Sequence, residues 1–224
     1  MSLVRLQKVQ KGFNHPSGRI EVLRNLDLAI EDGESISILG PSGSGKSTLL
    51  SILSGLEAVD EGTVEMAGHD LVALNEKGRS HFRATSLGIV FQQFHLIGHL
   101  SALENVQLSL DISKKMNAEE RAAEALERVG LKDRLNHLPS ELSGGECQRV
   151  AIARATVHRP PILLADEPSG NLDQKTGEQV MGDLFKEVKE LGTTLILVTH
   201  NEDLAKNSER TFRMEEGQLI EANP

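Results

Sequence analysis

The sequence predicts an α/β fold with a mainly parallel sheet. Three short segments, at 36–39, 162–165 and 194–198, have the character of buried strands, and 162–165 and 195–198 are apolar throughout. Such strands are typical of parallel sheets covered on both faces. A helical pattern at 174–190 separates the last two and places apolar residues on one face. Strands that alternate with helices in this way favour a parallel sheet with helices on both sides.

The N-terminal part predicts a different kind of strand. Residues 4–9 and 22–30 alternate in polarity on either side of a turn-forming stretch at 14–18. Residues 61–68 form another short strand pattern bounded by glycines. The middle of the chain is helix-rich: Asn117 and Glu120 have N-cap and N3 spacing, and Gly130 ends that helix.

Composition limits the function classes. At 224 residues the chain is long enough to form a full core as one domain. The net charge of −9 argues against a protein that coats nucleic acid. The single cysteine, Cys147, has no internal partner for a disulfide, so we expect a reducing compartment. We expect neither a membrane span nor a signal peptide, so that any spans would come from another chain.

Residues 40–47 predict a phosphate-binding loop between a strand and an apolar helix pattern that begins at Thr48. Glycines let backbone N–H groups turn towards an anion, and the helix directs its positive end to the same place. Lys46 adds a charge for the β- and γ-phosphates, and the Ser47 hydroxyl can ligate Mg²⁺. The alternative is a Gly/Ser-rich turn that binds nothing. The loop comprises Gly40, Pro41, Ser42, Gly43, Ser44, Gly45, Lys46 and Ser47.

Two carboxylates follow the apolar run at 162–165 and predict a second phosphate-site element. The carboxyl ends of strands are where ligands bind in α/β sheets. Asp166 is therefore expected to hold Mg²⁺ through its water shell, and Glu167 to polarise the attacking water. The alternative is an ordinary Asp-Glu-Pro turn after a core strand.

A third element lies at 142–146, where a Gly-containing loop enters another helix. Ser143 and the backbone donors there form a second anion-binding helix start. If one nucleotide cannot reach both loops within a subunit, a two-fold dimer is the simplest geometry. Each triphosphate then lies between the Lys46 loop of one copy and the Ser143 loop of the other. In isolation this segment is better interpreted as an ordinary helix start capped by Ser143.

These motifs, in this order, resemble those of the ATP-binding subunits of ABC transporters, over essentially the whole chain. The resemblance identifies 40–47 as the Walker A loop, 142–146 as the signature, 166–167 as Walker B and 169–173 as the D-loop. It implies a P-loop NTPase (RecA-like) core with a mainly parallel sheet. The expected regions of the single domain 1–224 are an antiparallel β region (1–33 and 61–70), the core (34–60, 71–92 and 159–224) and a helical signature subdomain (93–158).

Three further roles come only from the resemblance. Phe13 is expected to stack on adenine where the family usually has tyrosine, Gln92 to contact Mg²⁺ and water, and His200 to contact the γ-phosphate. A histidine at a strand end is usually a surface residue, but its place after Thr199 favours the switch role. The expected ligands of ATP are Phe13, residues 40–48 as named above, Gln92, Ser143, Gly144, Gly145 and Glu146. The expected metal ligands are Ser47, Gln92 and Asp166, and the catalytic residues are Glu167, His200 and Lys46.

Position 146 departs from the family pattern, since Glu146 stands where members usually carry glutamine. A carboxylate suits the first turn of a helix, and we expect it to point away from the γ-phosphate. The stretches 90–97, 101–106 and 170–173 resemble the lipoprotein-releasing and macrolide-exporter group, in which dimer closure transmits force to a membrane partner. The segment after Gln92 is unusually apolar for a loop that follows a strand. Its apolar side chains are expected either to receive a helix of that partner or to pack under the helical subdomain. They are Phe94, Leu96, Ile97 and Leu100.

The implied activity is hydrolysis of ATP to ADP and phosphate with Mg²⁺, coupled to transport. The implied partners are an integral membrane permease and a second copy of this chain, without nucleic acid. The implied location is the cytoplasmic face of the inner membrane, reached through the permease. Two alternatives share the motifs: a regulatory cassette associated with cell division, and an ABC ATPase without a transport role.

Overall fold

The computed structural model describes residues 2–16 and 18–222; Ser17, within the expected turn at 14–18, lies outside the described residues. Two 3-10 turns lie between residues 128 and 144, at Lys132–Arg134 and Pro139–Glu141. In chain order the elements are β1 (Ser2–His15), β2 (Gly18–Glu31), β3 (Ser35–Leu39), α1 (Lys46–Leu53), β4 (Glu61–Met66), β5 (His69–Asp70), α2 (Glu76–Ser86), β6 (Leu87–Phe91), α3 (Ala102–Ile112), α4 (Ala118–Arg128), α5 (Gly144–Thr156), β7 (Ile162–Asp166), α6 (Gln174–Leu191), β8 (Thr194–Val198), α7 (Glu202–Ala205), β9 (Arg210–Glu215) and β10 (Gln218–Ala222).

The chain divides into two compact units. Unit 1 consists of Met1–Arg83 and Thr194–Pro224, and unit 2 of Ala84–Thr193. The finer division into a β region, a core and a helical subdomain stays a prediction.

Unit 1 carries an antiparallel sheet with the strand order β2-β1-β4-β5. It also carries the strands β10-β9-β3-β8, in which β3 pairs in parallel with both β8 and β9. Strand β10 joins β9 in antiparallel fashion. The expected antiparallel N-terminal strands are thus confirmed, and β1 and β2 run farther towards the intervening turn than the alternation at 4–9 and 22–30 predicts.

A bulge in β1 explains why its pattern is irregular. Val4, Leu6 and Val9 are all buried, so the inward spacing changes from two residues to three. The register shifts between Leu6 and Val9, and Lys8 within that stretch has a positive φ of 49°. An extra residue at a bulge returns the next side chain to the core face. A Cβ at Gly62 would lie 2.6 Å from the Lys8 carbonyl oxygen. Strand β4 can therefore lie this close to the bulge only because position 62 is glycine.

Unit 2 combines the parallel pair β6–β7 with the helices α3, α4, α5 and α6. Strand β7 is buried along Ile162–Ala165, as its apolar run predicts. Helix α6 extends one residue beyond the expected 174–190, to Leu191. Gly192 caps its C-terminus with a left-handed φ of 65°. Parallel pairing in both units confirms the α/β class with mainly parallel strands.

Helix α4 shows one difference from the sequence pattern. Asn117 occupies the N-cap position and Gly130 follows the helix end with a φ of 76°, as expected. Asn117 itself is left-handed, with a φ of 55°, and its side chain caps no backbone N–H group. Instead its Nδ2 donates to Glu120 Oε2 at 3.4 Å. The left-handed backbone turns the amide away from the helix start, so the reciprocal cap does not form.

Candidate functional site

The loop between β3 and α1 has the backbone that an anion site needs. Gly43 and Gly45 both adopt left-handed conformations, with φ values of 81° and 108°. A Cβ at Gly45 would meet Leu23 Cδ2 at 3.0 Å and the Val22 carbonyl oxygen at 3.1 Å. Glycine is therefore required at position 45 by both conformation and space. The first turn of α1 contains no acidic residue, so the positive end of the helix is not neutralised by its own side chains.

Side chains within this loop also fit an anion. Ser44 Oγ is buried without a hydrogen-bond partner among the described residues, an arrangement that usually costs stability. The Lys46 ammonium folds back over the loop and donates to the carbonyl oxygens of Gly40, at 2.7 Å, and Pro41, at 2.9 Å. Ser47 is exposed and Thr48 half-buried at the start of α1. A phosphate group would satisfy the Ser44 hydroxyl and the free helix end together.

An open groove borders the loop within unit 1. It is lined on one side by Pro41, Ser42, Gly43 and Ser44, and on the other by β2 and the turn between β9 and β10. A Cβ at Gly40 would lie 2.8 Å from both Ser44 Oγ and the Met214 carbonyl oxygen, so the loop also needs glycine at its first position.

Two other predicted site residues lie in unit 1. Phe13, near the end of β1 and opposite Ile20 of β2, is 41% exposed. His200 follows β8, whose Val198 pairs with Ile38 of β3. Because parallel strands end at the same edge, His200 and the loop after β3 leave their strands at one edge of the sheet. The Thr199 backbone N–H donates to the Ile38 carbonyl at 3.2 Å and fixes this end of the strand pair.

In unit 2 the ends of β6 and β7 bring three predicted residues to one edge. Phe91 pairs with Asp166 in the parallel register, so Gln92 and Glu167 are the next residues beyond that pair. Glu167 has a left-handed φ of 46°, an uncommon conformation for a residue with a side chain. Its carbonyl accepts the Gly170 N–H at 2.9 Å, which closes a tight turn. Strained backbone of this kind is often found at functional positions.

Gln92 is tied to the segment that follows Glu167. Its Nε2 donates to Asn171 Oδ1 at 3.1 Å, and Asn171 Nδ2 donates back to the Gln92 carbonyl at 3.0 Å. A Cβ at Gly170 would lie 2.7 Å from Gln92 Nε2. Sequence analysis placed Asn171 in the D-loop but assigned it no contact, because pairing between residues so far apart in the chain leaves no local pattern.

The signature segment forms the start of α5. Ser143 is the N-cap: its Oγ accepts the Glu146 N–H at 3.3 Å, and Glu146 Oε2 accepts the Ser143 N–H at 2.8 Å. A Cβ at Gly145 would meet Thr176 Cγ2 at 2.5 Å, so glycine allows α5 to approach α6. Gly144 is similarly near Leu172.

Glu146 is held by Arg134 as well as by its own helix. Arg134 Nε donates to Glu146 Oε1 at 3.0 Å. The Ser143 backbone N–H and then Arg134 lower the pKa of Glu146 from 4.5 to about 2. Both carboxylate oxygens therefore have partners within unit 2, and sequence analysis missed Arg134 because it lies twelve residues earlier.

We expect Glu146→Gln to lose about 1 kcal/mol of unfolding free energy at pH 7, because an amide keeps the cap but loses the charged pair. The folded pKa is depressed, so this advantage is present above the unfolded pKa of 4.5 and declines as pH falls towards 2. Urea unfolding of both proteins between pH 7 and pH 3 measures the difference. Glu119→Gln, at an exposed site in the first turn of α4, is the matched control. A difference that stays constant down to pH 3 would contradict the prediction.

The segment after Gln92 is anchored by two side chains. Arg154 of α5 donates to the carbonyls of Phe94, at 2.7 Å, and His95, at 2.6 Å, both of which have left-handed backbones. Asn105, fully buried, accepts the Ile97 N–H at 2.8 Å and donates to the Leu100 carbonyl at 2.9 Å. Phe94, Leu96, Ile97 and Leu100 are all half-buried, and their contact with a partner stays a prediction.

Within the described residues, no helix is both long and apolar enough to cross a bilayer. The structure thus groups the predicted residues in four places, two in each unit. In unit 1 these are the loop at 40–48 with His200, and Phe13 farther along the antiparallel sheet. In unit 2 they are the edge formed by Gln92, Asp166 and Glu167, and the separate helix start at 143–146.

Comparison with known proteins agrees with this geometry. A protein-family model described as ABC transporter matches residues 23–170, more than half of the chain. The lipoprotein-releasing system ATP-binding protein LolD of Legionella pneumophila (strain Paris) is 46% identical over 215 residues, covering 95% of both chains. LolD of Geobacter metallireducens is 45% identical over 221 residues, covering 98% of both.

A solved dimeric structure of an ATP-binding cassette in a post-hydrolysis state with ADP and Pi superposes with a TM-score of 0.88 at 42% identity, over 98% of each chain. This structure confirms the expected fold class, and the relatives agree with the expected lipoprotein-releasing group. The chain therefore belongs to the ABC transporter family, among its ATP-binding ATPase subunits.

Proposed function

We propose that this protein binds ATP with Mg²⁺, hydrolyses it as a dimer, and thereby drives a membrane permease of the lipoprotein-releasing type. The observation that carries the proposal is the loop at 40–47. Gly43 and Gly45 are left-handed, the Ser44 hydroxyl is buried without a partner among the described residues, and the helix that follows has no acid in its first turn. Such a site is suited to a polyphosphate, and family membership makes ATP the substrate.

In this proposal ATP binding relies on unit 1. The backbone N–H groups of residues 40–48 and the Ser44 hydroxyl bind the phosphates, and Lys46 leaves the carbonyls of Gly40 and Pro41 to contact the β- and γ-phosphates. Phe13 offers an exposed aromatic face to the adenine ring.

Ser47, Gln92 and Asp166 are the proposed ligands of Mg²⁺, either directly or through water. A hydroxyl, an amide oxygen and a carboxylate form an oxygen donor set of the kind that Mg²⁺ prefers. When bound, Mg²⁺ neutralises charge on the β- and γ-phosphate oxygens. The two hydrogen bonds between Gln92 and Asn171 hold the Gln92 side chain in a defined orientation.

Hydrolysis is proposed to depend on Glu167, His200 and Lys46. Glu167 accepts a proton from the water whose oxygen bonds to the γ-phosphorus, while the bond to the ADP oxygen breaks. His200 and Lys46 donate hydrogen bonds to the γ-phosphoryl oxygens as charge moves onto them. Catalysis consists mainly of positioning and electrostatic stabilisation.

The helix start at 143–146 is proposed to complete the site of a second copy. Ser143, Gly144 and Gly145 would present the hydroxyl and backbone donors to the γ-phosphate, while Glu146 remains engaged with Arg134. The dimeric state of the similar solved cassette supports this arrangement. Closure of the dimer on ATP, and its release after hydrolysis, would supply the mechanical output to the permease.

The proposal is tested by assembling the chain with a permease of the lipoprotein-releasing type and measuring phosphate release with Mg²⁺ and ATP. We expect saturable ATPase activity, co-purification of the two proteins, and ATP-dependent release of a lipoprotein from membranes. ATP binding without any effect on lipoprotein release would contradict the transport step. The absence of ATP binding at millimolar concentration in the assembled complex would contradict the proposal as a whole.

A further inference from the structure

A buried lysine lies behind the exposed ring of Phe13. Lys11 is only 8% exposed, although lysine is among the residues least often buried. It lies two residues before Phe13 on β1, so the two side chains share one face of the strand. The Lys11 ammonium lies 5.1 Å from the centroid of the Phe13 ring. This distance is within the range of a cation–π interaction.

The ammonium group is held by oxygen atoms on the segment between α1 and β4. Lys11 Nζ donates to Glu57 Oε1 at 2.7 Å and to the Ala58 carbonyl at 2.7 Å, and Asp60 Oδ1 lies 3.6 Å away. A buried ammonium group with these partners stays in one position, because elsewhere in the protein it would lose the hydrogen bonds that compensate its burial. The lysine therefore links the ring to the segment that follows the phosphate-loop helix.

Asp60 fixes the backbone between Lys11 and Phe13. Its Oδ2 accepts the Gly12 N–H at 2.7 Å and pairs with Arg19 Nη2 at 2.5 Å. The Gly12 N–H and the two cations lower the pKa of Asp60. Arg19 belongs to β2 near the position that pairs with Phe13, so both strands beside the ring are attached to one carboxylate.

We propose that Lys11 is a positioning residue for nucleotide binding, which fixes the Phe13 ring so that its exposed face can accept the purine base. The inference rests on the proposed function, since it concerns the same nucleotide. Glu57 and Asp60 act through Lys11 and the Gly12 backbone, and none of the three touches the phosphates in this proposal. Lys11 therefore contributes to recognition of the base and not to recognition of the polyphosphate.

The test compares ATP with inorganic tripolyphosphate, which has the phosphates but no base. We expect Lys11→Met to raise the Kd for Mg-ATP about three- to tenfold, as for the loss of one cation–π interaction. The Kd for tripolyphosphate and the kcat at saturating ATP should stay unchanged, and Lys11→Arg should restore most of the ATP affinity. Lys8→Met, at an exposed lysine of the same strand, is the matched control.

A second background shows whether Lys11 acts through the ring. In Phe13→Leu, the further change Lys11→Met should no longer weaken ATP binding. Glu57→Gln keeps Lys11 but weakens its ion pair, so it should give a smaller loss of ATP affinity that is equally selective for the base. This variant replaces Lys11→Met if Lys11→Met fails to fold. Equal losses for ATP and tripolyphosphate, or an undiminished loss in Phe13→Leu, would overturn the inference. Failure of the unaltered protein to bind either ligand would instead refute the proposed function.

Discussion

Glu167→Gln is expected to abolish turnover while leaving ATP binding intact. The amide has the same shape as the carboxylate but cannot accept a proton from water, and loss of a general base typically costs about 100- to 10,000-fold in rate. Glutamine and glutamate tolerate the left-handed backbone of this position equally, so the turn closed by Gly170 should survive. Phosphate release with Mg-ATP measures the rate, and calorimetry measures the Kd, which should change less than about twofold.

The same variant should accumulate as an ATP-bound dimer, because hydrolysis is the proposed trigger for opening. Light scattering should then report twice the monomer mass of 24.4 kDa with ATP, and a return to the monomer with ADP. Glu178→Gln, an exposed glutamate on α6, is the control and should retain full activity. Undiminished hydrolysis by Glu167→Gln would remove this residue from the role of base.

Mixing two inactive variants is expected to restore activity if each site is shared between copies. Lys46→Met disables the phosphate loop and Ser143→Arg disables the signature helix start, so each variant alone should lose more than about 100-fold in rate. In a mixed dimer one site receives both changes and the other receives neither. With random exchange of subunits, an equimolar mixture should recover about a quarter of the unaltered activity.

Two controls make this recovery interpretable. Ser101→Arg removes an equivalent capping box at the start of α3, so it reports the cost of losing a cap in the absence of a phosphate contact. The second control mixes the single variant Lys46→Met with a double variant that carries both Lys46→Met and Ser143→Arg. This mixture contains no intact site and should stay inactive. If the first mixture also stays inactive and its dimers retain no ATP, the sites are not shared.

The features that the sequence predicted correctly are local. Strands β7 and β8 are apolar because both their faces are covered, and α6 shows its buried face at intervals of three and four residues. The loop at 40–47 was predictable for a similar reason, since its glycines, its lysine and the following helix are adjacent in the chain.

The features that it did not reveal depend on contacts between distant residues. Nothing near Gln92 predicts Asn171, nothing near Glu146 predicts Arg134, and the oxygen partners of Lys11 lie 46 residues or more along the chain. The bulge in β1 was missed because the three-residue interval from Leu6 to Val9 still resembles alternation when only the short stretch 4–9 is considered. The side-chain cap predicted at Asn117 does not form, because residue spacing does not determine whether the backbone there is left-handed.

The ion pair between Arg134 and Glu146 has a consequence for how this segment evolves. A lineage that exchanges the glutamate for glutamine removes the reason to keep a cation at position 134, and a lineage that first loses the cation leaves the carboxylate less well compensated. The two positions should consequently change together in descent, with arginine accompanying glutamate more often than chance allows. Ancestral reconstruction across the family would reveal such paired replacements.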